Sequence, residues 1–88
     1  MIVIAVSIRD KVSEVFGQPF FVQNIGTAVR SFNDEINRES PDNMLNKHPD
    51  DFDLYEIGQF DDSNAELKPT LIRLICCGSD VYRKKVVN

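Results

Sequence analysis

The chain has 88 residues, 42% hydrophobic and 27% charged, which is enough for one core, too little for two, and too apolar for a disordered tail. A formal net charge of −4 opposes general affinity for polyanions, because Lys and Arg supply most of the attraction to phosphate. Any contact with nucleic acid therefore has to be weak or focused on a small surface.

Residues 1–9 read as a strand. Ile2, Ile4, Val6 and Ile8 alternate with Val3 and Ala5, so both faces are apolar, as in a strand covered on two sides. The run of residues 1–6 is far shorter than the ~20 residues a membrane helix needs, and no basic segment precedes it. We expect a soluble protein that is retained in the cytoplasm and has no membrane partner. Gly17-Gln18-Pro19 turns the chain back into a short strand over 19–23, forming a hairpin with the first. From Ile25 the apolar positions Ala28, Val29, Phe32 and Ile36 recur at helical spacing, which predicts a helix over 25–39. Asn24 caps its start, Ser40-Pro41 stops it, and Asp34 and Arg38 pair across one turn.

Residues 40–51 hold two prolines among polar turn formers and read as a connection with room for one helical turn, pinned to the core by Met44 and Leu45. Residues 52–60 and 67–77 then form an antiparallel hairpin around Asp61-Asp62-Ser63-Asn64-Ala65-Glu66. Gly58 inside the first of these strands signals a bulge or a close backbone approach, and Phe32 and Phe52 are core anchors. The last strand is apolar on both sides, with Ile72, Leu74 and Cys76 on one and Leu71, Ile75 and Cys77 on the other. One helix covers one face only, so the apolar remainder predicts self-association, most simply a two-fold homodimer. A basic C-terminal segment over 78–88 is placed to extend the sheet or to reach a partner. The expected fold is a single α+β domain. It has a small, mainly antiparallel sheet of about four strands, one amphipathic helix on one face, and the order β-β-α-β-β.

For catalysis the chain offers one histidine, His48, with no nucleophile pattern around it, so it reads as a turn residue and no enzyme or cofactor is expected. The carboxylates Asp50, Asp51, Asp53, Asp61 and Asp62 lack the loop glycine and terminal glutamate of a calcium site, and no metal is expected. Cys76 and Cys77 are adjacent and point to opposite faces of a strand, which argues against a disulfide. The best raw material for nucleic acid is Tyr82-Arg83-Lys84-Lys85, three cations beside a ring that can stack on a base. Arg30, Arg38, Lys47, His48 and Arg73 are further candidates, with Asp34, Glu35 and Glu39 close enough to neutralise part of them. Phe20 and Phe21 are both able to stack on exposed bases, with at least one of them expected in the core, and Phe20 is the stacking candidate beside Tyr82.

Three strings carry a resemblance. They are Gln18-Pro19-Phe20-Phe21, Gly26-Thr27-Ala28-Val29-Arg30-Ser31-Phe32-Asn33-Asp34, and above all Lys47-His48-Pro49-Asp50-Asp51-Phe52-Asp53-Leu54-Tyr55-Glu56-Ile57-Gly58-Gln59-Phe60-Asp61-Asp62. Across most of its length the chain resembles the small nonstructural proteins of gokushoviruses, single-stranded DNA phages of the Microviridae. The resemblance implies a nonstructural protein of the host bacterial cytoplasm, absent from the virion. It would bind single-stranded DNA or the replication complex and promote or regulate synthesis and packaging of the single-stranded genome. The alternative is a dimeric factor that binds the phage replication initiator, a host replication protein or a capsid precursor without touching DNA. The chain departs from the family in continuing beyond Cys77, so the resemblance assigns no role to Tyr82-Arg83-Lys84-Lys85.

Overall fold

In the computed structural model, which describes residues 1–83, the alternating first residues form β1, Ile2–Asp10, and the sheet is built outward from it. Along one side β1 pairs over its length with β4, Phe52–Asp61. Along the other it pairs first with β2, Val15–Phe16, and then with β3, Phe20–Val22. The outer strand β5, Glu66–Cys77, pairs with β4, and every pairing is antiparallel. The order across the sheet is β2-β1-β4-β5, with β3 also beside β1.

The α+β class and the antiparallel sheet agree with the sequence, but the described residues form five strands and three short α-helices rather than four and one. The expected strand over 19–23 forms as β3, and the stretch before it, read as a turn, adds the short strand β2. Glu14 takes a left-handed turn (φ 60°) that lets Val15 and Phe16 pair back on Asp10 and Arg9. The edge then breaks at Gly17-Gln18-Pro19, where Pro19 has no N–H to donate. Gly17 N–H donates to the Ile8 carbonyl (2.8 Å) and the Ser7 hydroxyl donates to the Gly17 carbonyl (2.7 Å), which holds the break against β1.

The helix α1 spans Ile25–Ile36, and the Asn24 side chain accepts from Thr27 N–H at 2.9 Å as its cap. Its inward residues Ala28, Phe32 and Ile36 meet Val6, Val22 and Leu54 in the buried core. Each large aliphatic or aromatic side chain sealed there contributes roughly 1.5–3 kcal/mol. The helix stops three residues before the expected 39, and asparagine side chains reach carbonyls at and just beyond its end. Asn37 donates to the Asn33 carbonyl (2.8 Å), Asn43 to those of Glu35 (2.9 Å) and Arg38 (2.8 Å), and Asn46 to that of Ile36 (3.0 Å). Arg38 pairs with Glu35 at 2.7 Å instead of with Asp34.

The connection 40–51 is more ordered than its composition suggests. It holds α2, Met44–Lys47, and a 3-10 turn, Pro49–Asp51. Leu45 packs on the core as expected, whereas Met44 is half exposed. After β5 the chain forms α3, Gly78–Val81, in place of further strand. A Cβ on Gly78 would run into the carbonyl oxygens of Pro49 and Phe52, so this crossing admits glycine alone.

Gly58 lies at the bulge. Ala5 pairs with Gly58 but Val6 pairs with Glu56, leaving Ile57 as the extra residue on β4. A Cβ at 58 would stand 2.7 Å from the Lys68 carbonyl oxygen. On the other side Gly58 faces Pro69 and Glu56 faces Arg73, so residues 70–72 of β5 lie across from Ile57 alone. Pro69 is tolerated because β5 is an outer strand. The molecule is elongated, 53 × 25 × 21 Å, with the helices packed at one end of the sheet and the β4–β5 hairpin running on past them.

Candidate binding face

Alternation along β1 sends Ile4, Val6 and Ile8 toward α1 and sends Val3, Ala5, Ser7 and Arg9 to the opposite face. Cross-strand partners share a face, so the register assigns the rest of it. Arg9 lies beside Phe16 and Asp53, Ser7 beside Tyr55, Ala5 beside Phe21 and Gly58, and Val3 beside Phe60. On β5, Leu67 continues the Phe60 row and Leu74 the Tyr55 row.

Two ring pairs result. Phe16 and Tyr55 meet edge-on with centroids 5.4 Å apart, and Phe21 and Phe60 meet at a tilt with centroids 5.6 Å apart. Between them lie small buried residues, Ala5, Ser7 and Gly58. Phe16 is 42% exposed and Phe21 49%, so the rings are open to solvent where no helix covers the sheet. The Arg9 guanidinium carbon stands 5.7 Å from the Phe16 centroid, a cation over a ring. Arg9 Nε and Asp53 Oδ1 are both buried without a hydrogen-bond partner, and the other Asp53 oxygen is 3.5 Å from Lys11 Nζ.

Each pair depends on an irregularity. Tyr55 and Phe60 have opposite parity in β4 and would face apart in a regular strand; the extra residue Ile57 brings them to one side. Phe16 and Phe21 also differ in parity, and the break at Gly17-Gln18-Pro19 aligns them. Simple alternation hides this face, so the sequence reading missed Arg9, Phe16, Tyr55 and Phe60. Glycine and proline at those two breaks are the only signal that pointed to it.

The residues singled out in the sequence do not converge here. Phe20 pairs with Val6 and packs on the core, which leaves Phe21 as the outward ring. Arg30 is exposed on α1, and Lys47 and His48 are exposed at the end of α2. Arg83 is docked against α1, its backbone N–H on Asn37 (2.7 Å) and its guanidinium on Asn33 (3.0 Å), with exposed Tyr82 beside it. Arg73 is closed by Glu56 at 2.6 Å. Lys84 and Lys85 lie outside the described residues. Ion pairs also hold Lys11, Arg38 and Lys68, so the cations are dispersed and no described basic patch forms on the ring face.

The remaining chemistry is quiet. Burial pushes the Cys76 thiol up to about 11, so it is a poor nucleophile near neutrality. Among the described residues no three His, Cys, Asp or Glu side chains gather to hold a metal ion. A hollow of about 40 Å³ between Ile2, Gln59, Asp61, Glu66 and Lys68 has room for water rather than a substrate. No described helix is long and apolar enough to cross a membrane.

A family model described as Phage ORF5 protein matches residues 3–81. No curated protein and no solved structure matches the chain.

Proposed function

The chain belongs to the Phage ORF5 protein family, and from that premise we propose that it is a nonstructural phage protein whose sheet face binds single-stranded DNA. The observation that carries this reading is the open platform of Phe16, Phe21, Tyr55 and Phe60 with Arg9 over one ring. Bases present a π-face whatever their sequence, and each base stacked on a ring is worth ~1–3 kcal/mol. With few cations to hand, stacking leads and phosphate contact follows, which reconciles strand binding with a net charge of −4.

The resemblance to gokushovirus nonstructural proteins supports a role in the host bacterial cytoplasm, where the protein promotes or regulates viral single-stranded genome synthesis and packaging. A second reading rests on a separate observation. Lys11, Arg38, Lys68 and Arg73 are in ion pairs while Leu67 and Leu74 extend the apolar surface beside the rings. A salt-tolerant docking surface for a replication protein, the phage initiator or a host factor, has that character.

Titration of labelled oligo-dT and a matched duplex at about 50 and 200 mM salt separates the two. One or two phosphate contacts on a single strand predict only a ~3- to 7-fold loss between those salts. Saturable preference for the single strand with that shallow slope supports the first reading. Absence of binding even at low salt removes it and leaves the protein partner.

A further inference from the structure

We infer that Arg9 and Asp53 form a base-reading site at one end of the ring face, selecting a base with an exocyclic amino group, cytosine over uracil or thymine. The inference rests on the strand-binding reading and names what that face prefers. Register places the groups in one row across the sheet. Phe16 on β2 faces Arg9 on β1, Arg9 faces Asp53 on β4, and Asp53 faces Cys77 on β5. The next residue, Leu54, turns into the core, so Asp53 belongs to the side that α1 leaves uncovered.

The row is short of partners. Asp53 is 5% exposed, yet its Oδ1 has no hydrogen bond, and neither has the buried Nε of Arg9 beside it. Buried polar atoms are nearly always paired, and one left bare costs its full desolvation. The neighbours do little to relieve this. Lys11 stands by the other Asp53 oxygen, its Nζ at 3.5 Å, too long for a good hydrogen bond. Burial first, then the Asp53 charge, holds the Cys77 thiol above its usual range, so it stays protonated near neutrality and is a weak donor. Ser7, in the next row, directs its hydroxyl to the Gly17 carbonyl. The row therefore lacks a group that sets an acceptor for Arg9 beside a donor for Asp53.

The edge of a nucleobase is such a group. Cytosine offers its ring N3 to the Arg9 Nε–H and its N4 amino group to the carboxylate oxygen. Uracil and thymine carry a carbonyl where cytosine has the amino group, and a carboxylate oxygen repels it. Phe16, the partner of Arg9 in the row, is the open ring on which such a base stacks. A bare phosphate does not fit, because it brings no donor and meets the carboxylate's own charge; the other guanidinium N–H groups serve a neighbouring phosphate. Both unpaired atoms are shielded in the free chain, so entry of a base shifts the tips of long side chains such as Arg9 and exposed Lys11, an ordinary change at an interface.

Anisotropy titrations of the full chain with labelled oligo-dC and oligo-dU of equal length test this, at one salt concentration and mildly alkaline pH, where oligo-dC stays single-stranded. The two strands differ only at N3 and C4, the edge in question. Oligo-dC should bind at least about fivefold more tightly. Asp53→Asn, whose amide can turn either its carbonyl or its amino group to the base, should bring the ratio to within about twofold. A merely structural loss moves both affinities together and leaves their ratio alone. Equal wild-type affinity for the two strands overturns the inference without the variant and leaves strand binding in place. A preference that Asp53→Asn does not alter overturns it as well. Binding to neither strand removes the strand-binding reading, and the base-reading site with it.

Discussion

Changing Phe21 to Ala removes the outermost ring of the platform with little harm to the fold. The ring is 49% exposed and sits 5.6 Å from Phe60, so its loss forfeits a ring pair worth ~0.5–1.5 kcal/mol and some partial burial. A domain of this size should remain folded, which circular dichroism and a thermal midpoint verify. On the strand-binding reading the variant loses one stacked base, ~1–3 kcal/mol, or about a 5- to 150-fold weaker dissociation constant for oligo-dT by fluorescence anisotropy. The salt slope should stay where it was, because no cation has been touched. Arg9→Gln should do the reverse, flattening the slope by ~0.7 with a smaller loss at high salt. Wild-type affinity in a folded Phe21→Ala protein would refute the stacking argument outright.

Other expectations follow from the fold itself. Gly58→Ala places a Cβ 2.7 Å from the Lys68 carbonyl, and the backbone shift it forces should cost ~1–3 kcal/mol, read as a midpoint lowered by roughly 4–8 °C per kcal/mol. The hydroxyl of Ser63 holds the Asp61 carboxyl below its usual value, that of Ser40 does so for Asp42, and the Arg38 guanidinium does so for Glu35. Depressed carboxylates stabilise above their unfolded values and lose that contribution as pH falls through the folded ones. Urea midpoints should therefore hold from about pH 7 to 5 and decline below about pH 4. Cys76, pushed up to about 11 by burial, should react with a thiol reagent at about pH 8 more slowly than in the urea-unfolded chain.

Much of the framework was legible because it obeys simple periods. The stripe from Ile25 to Ile36 gave α1, Asn24 gave its cap, and two β-rich runs gave the β4–β5 hairpin. Gly58 announced its bulge for steric reasons that hold in any strand. The end of α1 was misjudged because the side chains of Asn37, Asn43 and Asn46 bond to carbonyls near the helix end as the chain folds back on it, which hydrophobic spacing alone does not report. The short β2 was hidden in a polar stretch, since its pairing comes from the turn at Glu14 rather than from composition. The ring face was the least legible part. Its four aromatics come together only through two parity changes, and each becomes readable once the register is known.

The uneven length of the molecule has a consequence for how it responds. The buried core lies where α1 meets the sheet, while residues 62–69, around the hairpin tip, are all exposed. Such a body is a firm head with a compliant arm. Amide exchange should be slowest around Val6, Phe32 and Leu54 and should quicken toward the tip, where opening exposes little apolar surface. Anything that grips the arm must first still it and give up part of its affinity to that ordering. In return the arm can adjust to what it meets without disturbing the head.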